Sequence, residues 1–331
     1  MTVVEVVDRG RYADTVTPWE SREWRADALG WAEAALSARG LRPTGHRAVR
    51  LRPWSVLVRI GVADATGGAV WFKANPPGSR FEAALTGALA GWVPGRVLEP
   101  LAVDAGRGWS LLPDGGALFR DVLDRGDAGP GDWEEALRQY GAVQRALIPH
   151  TAALERLGVP ALRTAAFPAA YDRLLASNPA LTPDDRARLH ALRPRLLDRC
   201  AELSSLGVPD SLDHADLHDG QLFRPAPGRF TFFDWGDANV SHPFCSFTVA
   251  ARRVRERHGE RAVPRLRDAY LEPWTDLRPR ADLRRALTLA THLGALAPAG
   301  AWDRLFPGVP NPDDGTAAAE WLRGLAGEPQ E

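Results

Sequence analysis

The hydrophobic pattern near the N-terminus predicts one helix followed by strands. Thr17 and Glu20 form the pattern of a capping box around a proline, and Gly40 is placed to end the helix that they begin. Over residues 46–74 the pattern changes to the apolar and polar alternation that is typical of strands. Residues 1–43 are therefore predicted to be a helical extension in front of a strand-rich region.

Five strand-like runs and one helix make up that region. The runs are 48–51, 55–61, 69–73, 97–103 and 108–112, with a glycine-rich hairpin turn at 65–68. A second capping-box pattern, Ser79 and Glu82, begins the helix between the third and fourth runs. We expect residues 44–113 to form a lobe with an antiparallel sheet and one central helix, ending at the Pro- and Gly-rich break at 113–116.

After residue 117 the apolar positions recur mainly at helical spacing. Helices are predicted at 133–147, 189–203, 282–296 and 316–325. One polar hairpin interrupts them, with strands at 221–224 and 229–233 joined by a turn that contains two prolines and a glycine. Residues 114–331 are therefore expected to form a mainly helical lobe, and the fold class is predicted to be α+β and bilobal.

Composition and charge exclude several classes of protein. The formal net charge is -1, so no overall field attracts nucleic acid or an anionic membrane. The N-terminal residues lack the pattern of a secretion signal, and no run is long and apolar enough to span a bilayer. Two cysteines form neither a disulfide framework nor a zinc-finger spacing. We expect a cytoplasmic protein without nucleic-acid or membrane partners.

One basic residue differs from all the others. Lys73 is the only lysine among 41 Lys and Arg residues, and it lies in the strand predicted at 69–73. Lysine is a compact point charge, whereas the arginine guanidinium is a wide planar fork. A site that places an ammonium group between phosphate oxygens would not accept arginine. We therefore interpret Lys73 as a phosphate ligand rather than a surface lysine left by chance.

Most of the remaining candidate chemistry lies in residues 212–244, which contain five acidic side chains and three histidines. The predicted hairpin would bring Asp216 and Gln221 close to Asp234, because an antiparallel hairpin brings its open ends together. Hard divalent cations bind converging oxygen ligands of this kind. A strand lysine, a loop aspartate and oxygen ligands for a metal ion are together the components of a phosphoryl-transfer site.

The chain resembles the aminoglycoside phosphotransferase family, which consists of small-molecule kinases with the protein-kinase fold. The family motif H-x-D-x-x-x-x-N corresponds to residues 214–221 and its D-[FW]-[GDE] segment to residues 234–236, and the resemblance covers about residues 44–245. It implies a bilobal protein-kinase-like fold. It also implies transfer of the γ-phosphate of ATP to a hydroxyl of a small molecule, with Mg²⁺ or alternatively Mn²⁺ as the metal.

The resemblance also implies roles for single residues, by matched position. Asp216 corresponds to the catalytic aspartate, Asp234 to the main magnesium ligand, and Lys73 to the lysine on the nucleotide phosphates. Glu82 corresponds to the glutamate that pairs with this lysine. Because Glu82 also follows Ser79 at the capping-box spacing, a purely capping role fits the sequence as well.

Gln221 departs from the family pattern, which has asparagine as a second metal ligand at this position. The longer side chain displaces the amide oxygen by about 1.5 Å, one carbon–carbon bond. Magnesium tolerates poor octahedral geometry badly. The alternatives are therefore a slow or manganese-preferring enzyme, or a pseudokinase-like module that binds nucleotide without turnover.

The nucleotide-binding segments depart from the family pattern less seriously. Residues 52–55 stand in place of a glycine-rich loop, so backbone amides and the Ser55 hydroxyl are predicted to hold phosphate. In this fold, adenine bonds to the main chain between the lobes, here 110–114. Because Pro113 has no N–H, the donor is predicted to be Leu112 or Asp114.

A rival interpretation uses the histidines. His214, Asp216 and His218 have a spacing that permits a metallohydrolase site. This interpretation leaves Lys73 and Asp234 without a role, and we expect His214 and His218 to brace the loop instead. The acceptor is expected to be a small hydroxylated molecule whose identity the sequence does not define.

Overall fold

The chain folds into two compact units, which are described separately. The computed structural model describes residues 7–9, 15–63, 68–309, 311, 313 and 315–329. The first unit comprises Met1–Gly115 with Asp303–Pro312, and the second comprises Gly116–Trp302 with Asp313–Glu331. The division at Gly115 lies within the break predicted at 113–116, whereas residues 303–312 were expected in the second lobe. No helix within the described ranges is both long and apolar enough to cross a membrane.

The first unit contains a five-stranded sheet in the order β1-β2-β3-β5-β4, with every neighbouring pair antiparallel. Its elements are α1 (Arg22–Ser37), β1 (Arg42–Arg52), β2 (Ser55–Ala63), β3 (Ala69–Ala74), α2 (Phe81–Trp92), β4 (Ala102–Asp104) and β5 (Trp109–Pro113). The predicted antiparallel sheet with one helix between its strands is confirmed. Of the hairpin turn predicted at 65–68, residues 65–67 lie outside the described residues.

The helix predicted at Thr17 begins four residues later. Thr17 and Glu20 form the predicted capping box, with Glu20 Oε1 accepting from Thr17 N at 3.0 Å, but this box closes a 3-10 turn. The α-helix begins at Arg22, where Ser21 Oγ accepts from Trp24 N at 3.3 Å. The chain therefore uses two successive caps where the sequence suggested one.

The second predicted capping box is wrong. Ser79 lies in the 3-10 turn Pro77–Ser79, and α2 begins after Arg80, with no side-chain cap. Pro76 and Pro77 have fixed φ angles and no N–H groups, which favours a short turn here and delays the start of the α-helix. The carboxylate of Glu82 is thus available for a partner other than the Ser79 backbone.

The predicted helical extension is an integral part of the core of the first unit. Ala28, Ala32 and Leu36 of α1 are buried in one apolar cluster with the side chains of the sheet. Trp24 and Trp31 also pack edge-on against Phe72 of β3, with ring centroids 6.5 and 6.0 Å apart. These contacts make α1 the cover of one face of the sheet.

The second unit is mainly helical, as predicted. In chain order the remaining elements are α3 (Phe119–Asp124), α4 (Pro130–Leu147), α5 (Thr151–Arg156), α6 (Phe167–Ser177), α7 (Pro183–Ser205), β6 (Ser211–Asp213), β7 (Leu222–Ala226), β8 (Arg229–Phe232), β9 (Asn239–Ser241), α8 (Phe247–His258), α9 (Val263–Leu271), α10 (Arg280–Leu293), α11 (Leu296–Ala299), α12 (Ala301–Leu305) and α13 (Thr316–Gly324). Two short antiparallel pairs, β7 with β8 and β6 with β9, lie among these helices.

The predicted polar hairpin forms as β7 and β8. Leu222 faces Phe232 across the pair, and the ladder extends one step further because Phe233 N donates to Gln221 O at 3.2 Å. The pairing of β6 with β9 was not predicted, since each strand has only three residues and about 25 residues separate them. This second pair closes the segment that carries the acidic residues.

Candidate active site

Lys73 and Glu82 form a buried ion pair in the first unit. Lys73 Nζ lies 2.6 Å from Glu82 Oε1, and the two residues are 8% and 5% exposed. The amide of Asn75 donates to the other carboxylate oxygen of Glu82. Burying a charge is costly unless it is paired and hydrogen-bonded, so these three side chains hold one another in a defined geometry. In the structure, Glu82 pairs with Lys73, and Ser79 does not cap α2.

Alternation along β3 explains why the lysine meets this helix. Phe72 points to the face of the sheet that α1 covers, and Lys73 therefore points to the opposite face, where α2 supplies Glu82. Lys73 is opposite Leu57 of β2 and Ser110 of β5, which makes its strand an inner strand of the sheet. The ammonium group thus extends from a strand that is hydrogen-bonded on both sides.

Residues 52–55 form a tight turn rather than a broad phosphate loop. Arg52 and Ser55 face each other at the ends of β1 and β2, which leaves Pro53 and Trp54 as the two turn residues. Pro53 has no N–H, so the tip offers few backbone donors for phosphate. Ser55 is half-buried at the start of β2.

Leu112 and Asp114 lie at the end of the first unit. Leu112 is half-buried in β5 opposite Trp71, and Asp114 follows the strand in an exposed position. The Asp114 carboxylate accepts a hydrogen bond from Trp71 Nε1 at 3.4 Å. Trp71 therefore ties the last residues of this unit to its sheet.

In the second unit, α4 and Ser246 hold the start of the 214–221 loop. Ser246 Oγ donates to the buried Asp213 Oδ1 at 2.6 Å, and Ala215 N donates to the same oxygen at 3.0 Å. Tyr140 Oη accepts from His214 N at 3.1 Å. Burial raises the pKa of Tyr140 far above its ordinary value, so the phenol stays protonated. Asp213 and its partners were missed in the sequence because they come from distant segments.

His214 connects this loop to the hairpin. It is completely buried, and its Nε2 lies 3.0 Å from Phe233 O. Burial lowers the pKa of His214, which keeps the ring neutral and allows Nε2–H to donate to that carbonyl. The bracing role predicted for His214 is seen here, and a ring in this position is a poor candidate for a metallohydrolase ligand.

Two residues beside the candidate carboxylates have left-handed backbones. Ala215 has a φ of 61° and Asp234 a φ of 67°. Residues other than glycine rarely adopt this conformation, which costs on the order of 1–3 kcal/mol and persists only where the surroundings enforce it. Such strain is concentrated at functional sites, and here it occurs directly before Asp216 and at Asp234.

The carboxylate of Asp216 is held through one of its oxygens. Gln221 Nε2 donates to Asp216 Oδ2 at 3.3 Å, and His218 Nε2 lies 3.4 Å from the same atom. The side chain of Asp216 is 40% exposed, so it is accessible to a substrate. The arrangement suits a carboxylate that orients a hydroxyl group.

Asp234 and Gln221 are the predicted oxygen ligands for a hard cation. The bond from Phe233 N to Gln221 O brings the residue before Asp234 directly against Gln221. With its Nε2 turned to Asp216, Gln221 has its amide oxygen left for another partner. Within the described part of the chain, no group of three or more His, Cys, Asp or Glu side chains could hold a metal ion. Two oxygen ligands fit Mg²⁺, which usually keeps several waters and binds substrate phosphates in addition.

A pocket of about 410 Å³ lies beside this loop in the second unit, lined by Arg120, Asp219, Arg253, Glu256 and Arg257. Asp219 is buried and bonded to both Arg120, at 2.7 Å, and Arg257, at 3.3 Å. The sequence analysis did not identify this group, because Arg120 and Asp219 are 99 residues apart. The pocket has paired charges of both signs rather than the acidic lining that a polycation would need.

Comparison with known proteins defines the family. A sequence profile of the phosphotransferase enzyme family matches residues 62–284, about two thirds of the chain. The chain belongs to this family. The matched residues include Lys73, Glu82 and the whole 212–244 segment, whereas Ser55 lies outside them. The sequence resemblance implied a small-molecule phosphotransferase with a bilobal kinase-like fold, and this prediction of the class of protein is confirmed.

Solved structures of related enzymes share the fold. A macrolide 2′-phosphotransferase from Brachybacterium faecium has 17% identity and a TM-score of 0.59, with 89% of this chain and 98% of that chain covered. A choline/ethanolamine kinase family protein from Mesorhizobium loti has 17% identity and a TM-score of 0.56, with coverages of 90% and 98%. An aminoglycoside 2′-phosphotransferase solved with GDP has 15% identity and a TM-score of 0.52, with coverages of 90% and 98%. None of the curated proteins matches this sequence.

Proposed function

We propose that this phosphotransferase transfers the γ-phosphate of ATP to a hydroxyl of a small molecule, with Mg²⁺, or alternatively Mn²⁺, as its metal. The observation that carries the proposal is the carboxylate of Asp216, which is 40% exposed and has Oδ2 held by Gln221 and His218. A hydroxyl acceptor needs a fixed group that orients it and accepts its proton during transfer.

The first unit is proposed as the nucleotide lobe. Lys73 would contact the α- and β-phosphates, and its pairing with Glu82 supports this role because it fixes the ammonium group in one position. Ser55 is proposed as an additional phosphate contact, and the backbone N–H of Leu112 or Asp114 as the donor to adenine. The tight turn at 52–55 makes Lys73 the main protein contact to the phosphates in this lobe.

The second unit is proposed as the catalytic and acceptor lobe. Asp234 and Gln221 would hold the metal ion, which neutralises charge on the phosphate oxygens when it is bound. Asp216 would orient the acceptor hydroxyl and take its proton as the new oxygen–phosphorus bond forms. The strained backbone at Asp234 supports its assignment, because the surrounding structure enforces a conformation that a purely structural residue would not need.

The acceptor is proposed to be a small hydroxylated molecule in the cytoplasm, rather than a nucleic acid or a membrane component. The formal net charge of -1 supports this, because phosphate-backbone binding depends on an excess of basic charge.

A panel assay tests the proposal. ADP or GDP release is measured with ATP and with GTP, each with Mg²⁺ and with Mn²⁺, for acceptors chosen from the classes that the related structures name: a macrolide, kanamycin, choline and ethanolamine. A wider set of hydroxylated metabolites follows. Phosphorylated acceptor, identified by mass spectrometry, supports the proposal. Nucleotide binding without turnover under every condition would instead favour the pseudokinase alternative that Gln221 raised.

A further inference from the structure

The ring of His218 is held in a single tautomer by two hydrogen-bond donors. Gly220 N donates to His218 Nδ1 at 2.9 Å, and Arg120 Nη2 lies 3.2 Å from the same nitrogen. A guanidinium group and a backbone amide can only donate, so Nδ1 must be the acceptor nitrogen. A neutral imidazole has one acceptor and one donor, and the proton of His218 is therefore on Nε2.

The nitrogen that carries this proton lies close to the proposed catalytic carboxylate. His218 Nε2 lies 3.4 Å from Asp216 Oδ2, the same oxygen that accepts from Gln221 Nε2 at 3.3 Å. One N–H group bonded to Oδ2 and a second within ion-pair distance of it leave Oδ1 as the more basic oxygen and limit rotation of the carboxylate. We propose that His218 is a positioning residue, which holds Asp216 through Oδ2 so that Oδ1 receives the acceptor hydroxyl. This inference rests on the proposed function and goes beyond it.

Residues of α3 and α8, together with Asp219 of the loop, hold the ring in this position. Arg120 of α3 donates through Nε and Nη2 to Asp219 Oδ1, at 3.0 and 2.7 Å, and Arg257 of α8 binds the other oxygen of Asp219. Asp219 is only 5% exposed. The guanidinium that faces Nδ1 is therefore fixed by a buried, doubly paired carboxylate.

Gly220 allows the close approach on which this arrangement depends. A Cβ atom at residue 220 would lie 2.8 Å from Arg120 Nη2 and 2.9 Å from His218 Cε1. Both distances are shorter than real Cβ contacts, so any side chain there would displace the ring or the guanidinium. The loop thus has glycine where the imidazole and Arg120 pack together.

Matched substitutions of His218 separate positioning from simple bracing. Asparagine places an oxygen near the Nδ1 position and keeps an acceptor for Gly220 N, but it has no donor for Asp216. Glutamine places an N–H group near the Nε2 position and keeps that donor. Turnover with the acceptor found in the panel, or ATP hydrolysis with water as acceptor, is measured for both variants, together with Mg–ADP affinity and the thermal midpoint.

We expect kcat to fall about tenfold in H218N, which corresponds to about 1.4 kcal/mol, because the N–H group beside Oδ2 is lost, with Mg–ADP affinity and thermal midpoint unchanged. H218Q should recover most of that kcat. Equal and full activity in both variants would overturn the inference. So would an equal loss in both variants at an unchanged thermal midpoint.

Nitrogen-15 NMR of histidine-labelled full-length protein provides a second test, which does not depend on the variants being stable. The His218 signal, assigned by its absence in H218Q, should show the Nε2–H tautomer. An Nδ1–H tautomer would refute the inference. Retained turnover in D216A would refute the proposed function itself, whereas an inactive D216A beside a fully active H218N would refute only the role of His218.

Discussion

The candidate residues of the two units are held in opposite ways. We call those of the first unit the regular half and those of the second unit the irregular half. In the first unit, Lys73 and Glu82 project from a regular strand and a regular helix and meet in one buried contact. In the second unit, Asp216 and Asp234 lie in irregular segments, each beside or at a left-handed residue, and a hydrogen bond from Gln221 of the same loop holds Asp216. Regular elements suffice to hold a point charge on phosphate. A carboxylate that must present one particular oxygen requires individual hydrogen bonds.

The change with the largest expected effect removes the catalytic group from the irregular half. Asp216→Ala should reduce phosphoryl transfer by about 10³-fold, within the range found for general acid–base groups. The affinity for Mg–ADP should stay within about twofold of the wild-type value, because Asp216 is assigned to the acceptor. Single-turnover kinetics and calorimetric titration measure the two effects. A variant with normal turnover would show that the assigned carboxylate is not catalytic.

Replacing Lys73 in the regular half should lower both the affinity for nucleotide and the free energy of unfolding. Lys73→Ala leaves Glu82 buried without its partner, and we expect a loss of about 3–5 kcal/mol in unfolding free energy together with weaker nucleotide binding. Lys73→Arg should fail to restore the affinity, because the planar guanidinium does not fit the space of an ammonium group.

The double variant K73M/E82Q is the matched control for the stability effect. It removes both charges of the pair, so it should regain most of the lost stability without regaining nucleotide affinity. Urea unfolding and calorimetric titration separate these quantities. If K73A binds Mg–ADP as tightly as the wild-type protein, Lys73 is only a structural residue.

Acid pH should lower the free energy of unfolding of the second unit, because this unit contains the buried His242. Burial lowers the pKa of His242 to about 3, while its unfolded value is near 6.5, so the unfolded chain binds the proton first. The contribution of neutral, buried His242 to the free energy of unfolding is complete above about pH 6.5. It is lost as the pH falls from there toward the pKa of His242 in the folded protein. Between pH 6.5 and 5.5 the loss for one such histidine is about 1 kcal/mol.

A matched variant isolates this contribution. His242 Nδ1 accepts from Phe244 N at 3.3 Å, and asparagine can keep this acceptor without titrating. Urea midpoints at pH 7.5 and 5.5 should therefore differ less in H242N than in the wild-type protein. Equal pH dependence in the two proteins would contradict the assignment.

The smallest predicted effect concerns backbone strain. Ala215→Gly should stabilise the protein by up to about 1 kcal/mol, because glycine adopts the left-handed conformation at φ 61° without steric cost. Ala136→Gly, in the buried interior of α4, should destabilise it by a similar or larger amount. Thermal unfolding measures both. A destabilised A215G would mean that the conformation of Ala215 is not strained.

The regular half was largely predictable from its residues. The alternation through Phe72 and Lys73 indicated which side chains share a face. The family resemblance implied Glu82, on the next helix, as the partner of the lysine. The misplaced cap at Ser79 shows the limit of local patterns. The adjacent prolines form a separate turn before the helix begins, and no capping-box rule includes them.

The irregular half was predictable only in its residue types and its hairpin. The tautomer of His218 depends on Arg120, which is 98 residues away, and the anchoring of Asp213 depends on Ser246, which is 33 residues away. The hydrophobic periodicity that is read within a window of 11–18 residues gives no information on contacts between residues so far apart in sequence. The orientation of each carboxylate therefore could not be read from the motif alone.

The sequence by itself determined which chemistry is present: one lysine on a strand, a glutamate on the next helix, and two acidic segments joined by a hairpin. These features follow from local pattern and residue type, which depend on short-range sterics and hydrophobic periodicity. Only the tertiary structure decided how each group is held. It paired Glu82 with the lysine rather than with a helix cap, and it placed Gln221 and His218 next to Oδ2 of Asp216. Contacts from distant elements, Arg120 to His218 and Ser246 to Asp213, hold the loop in which this happens.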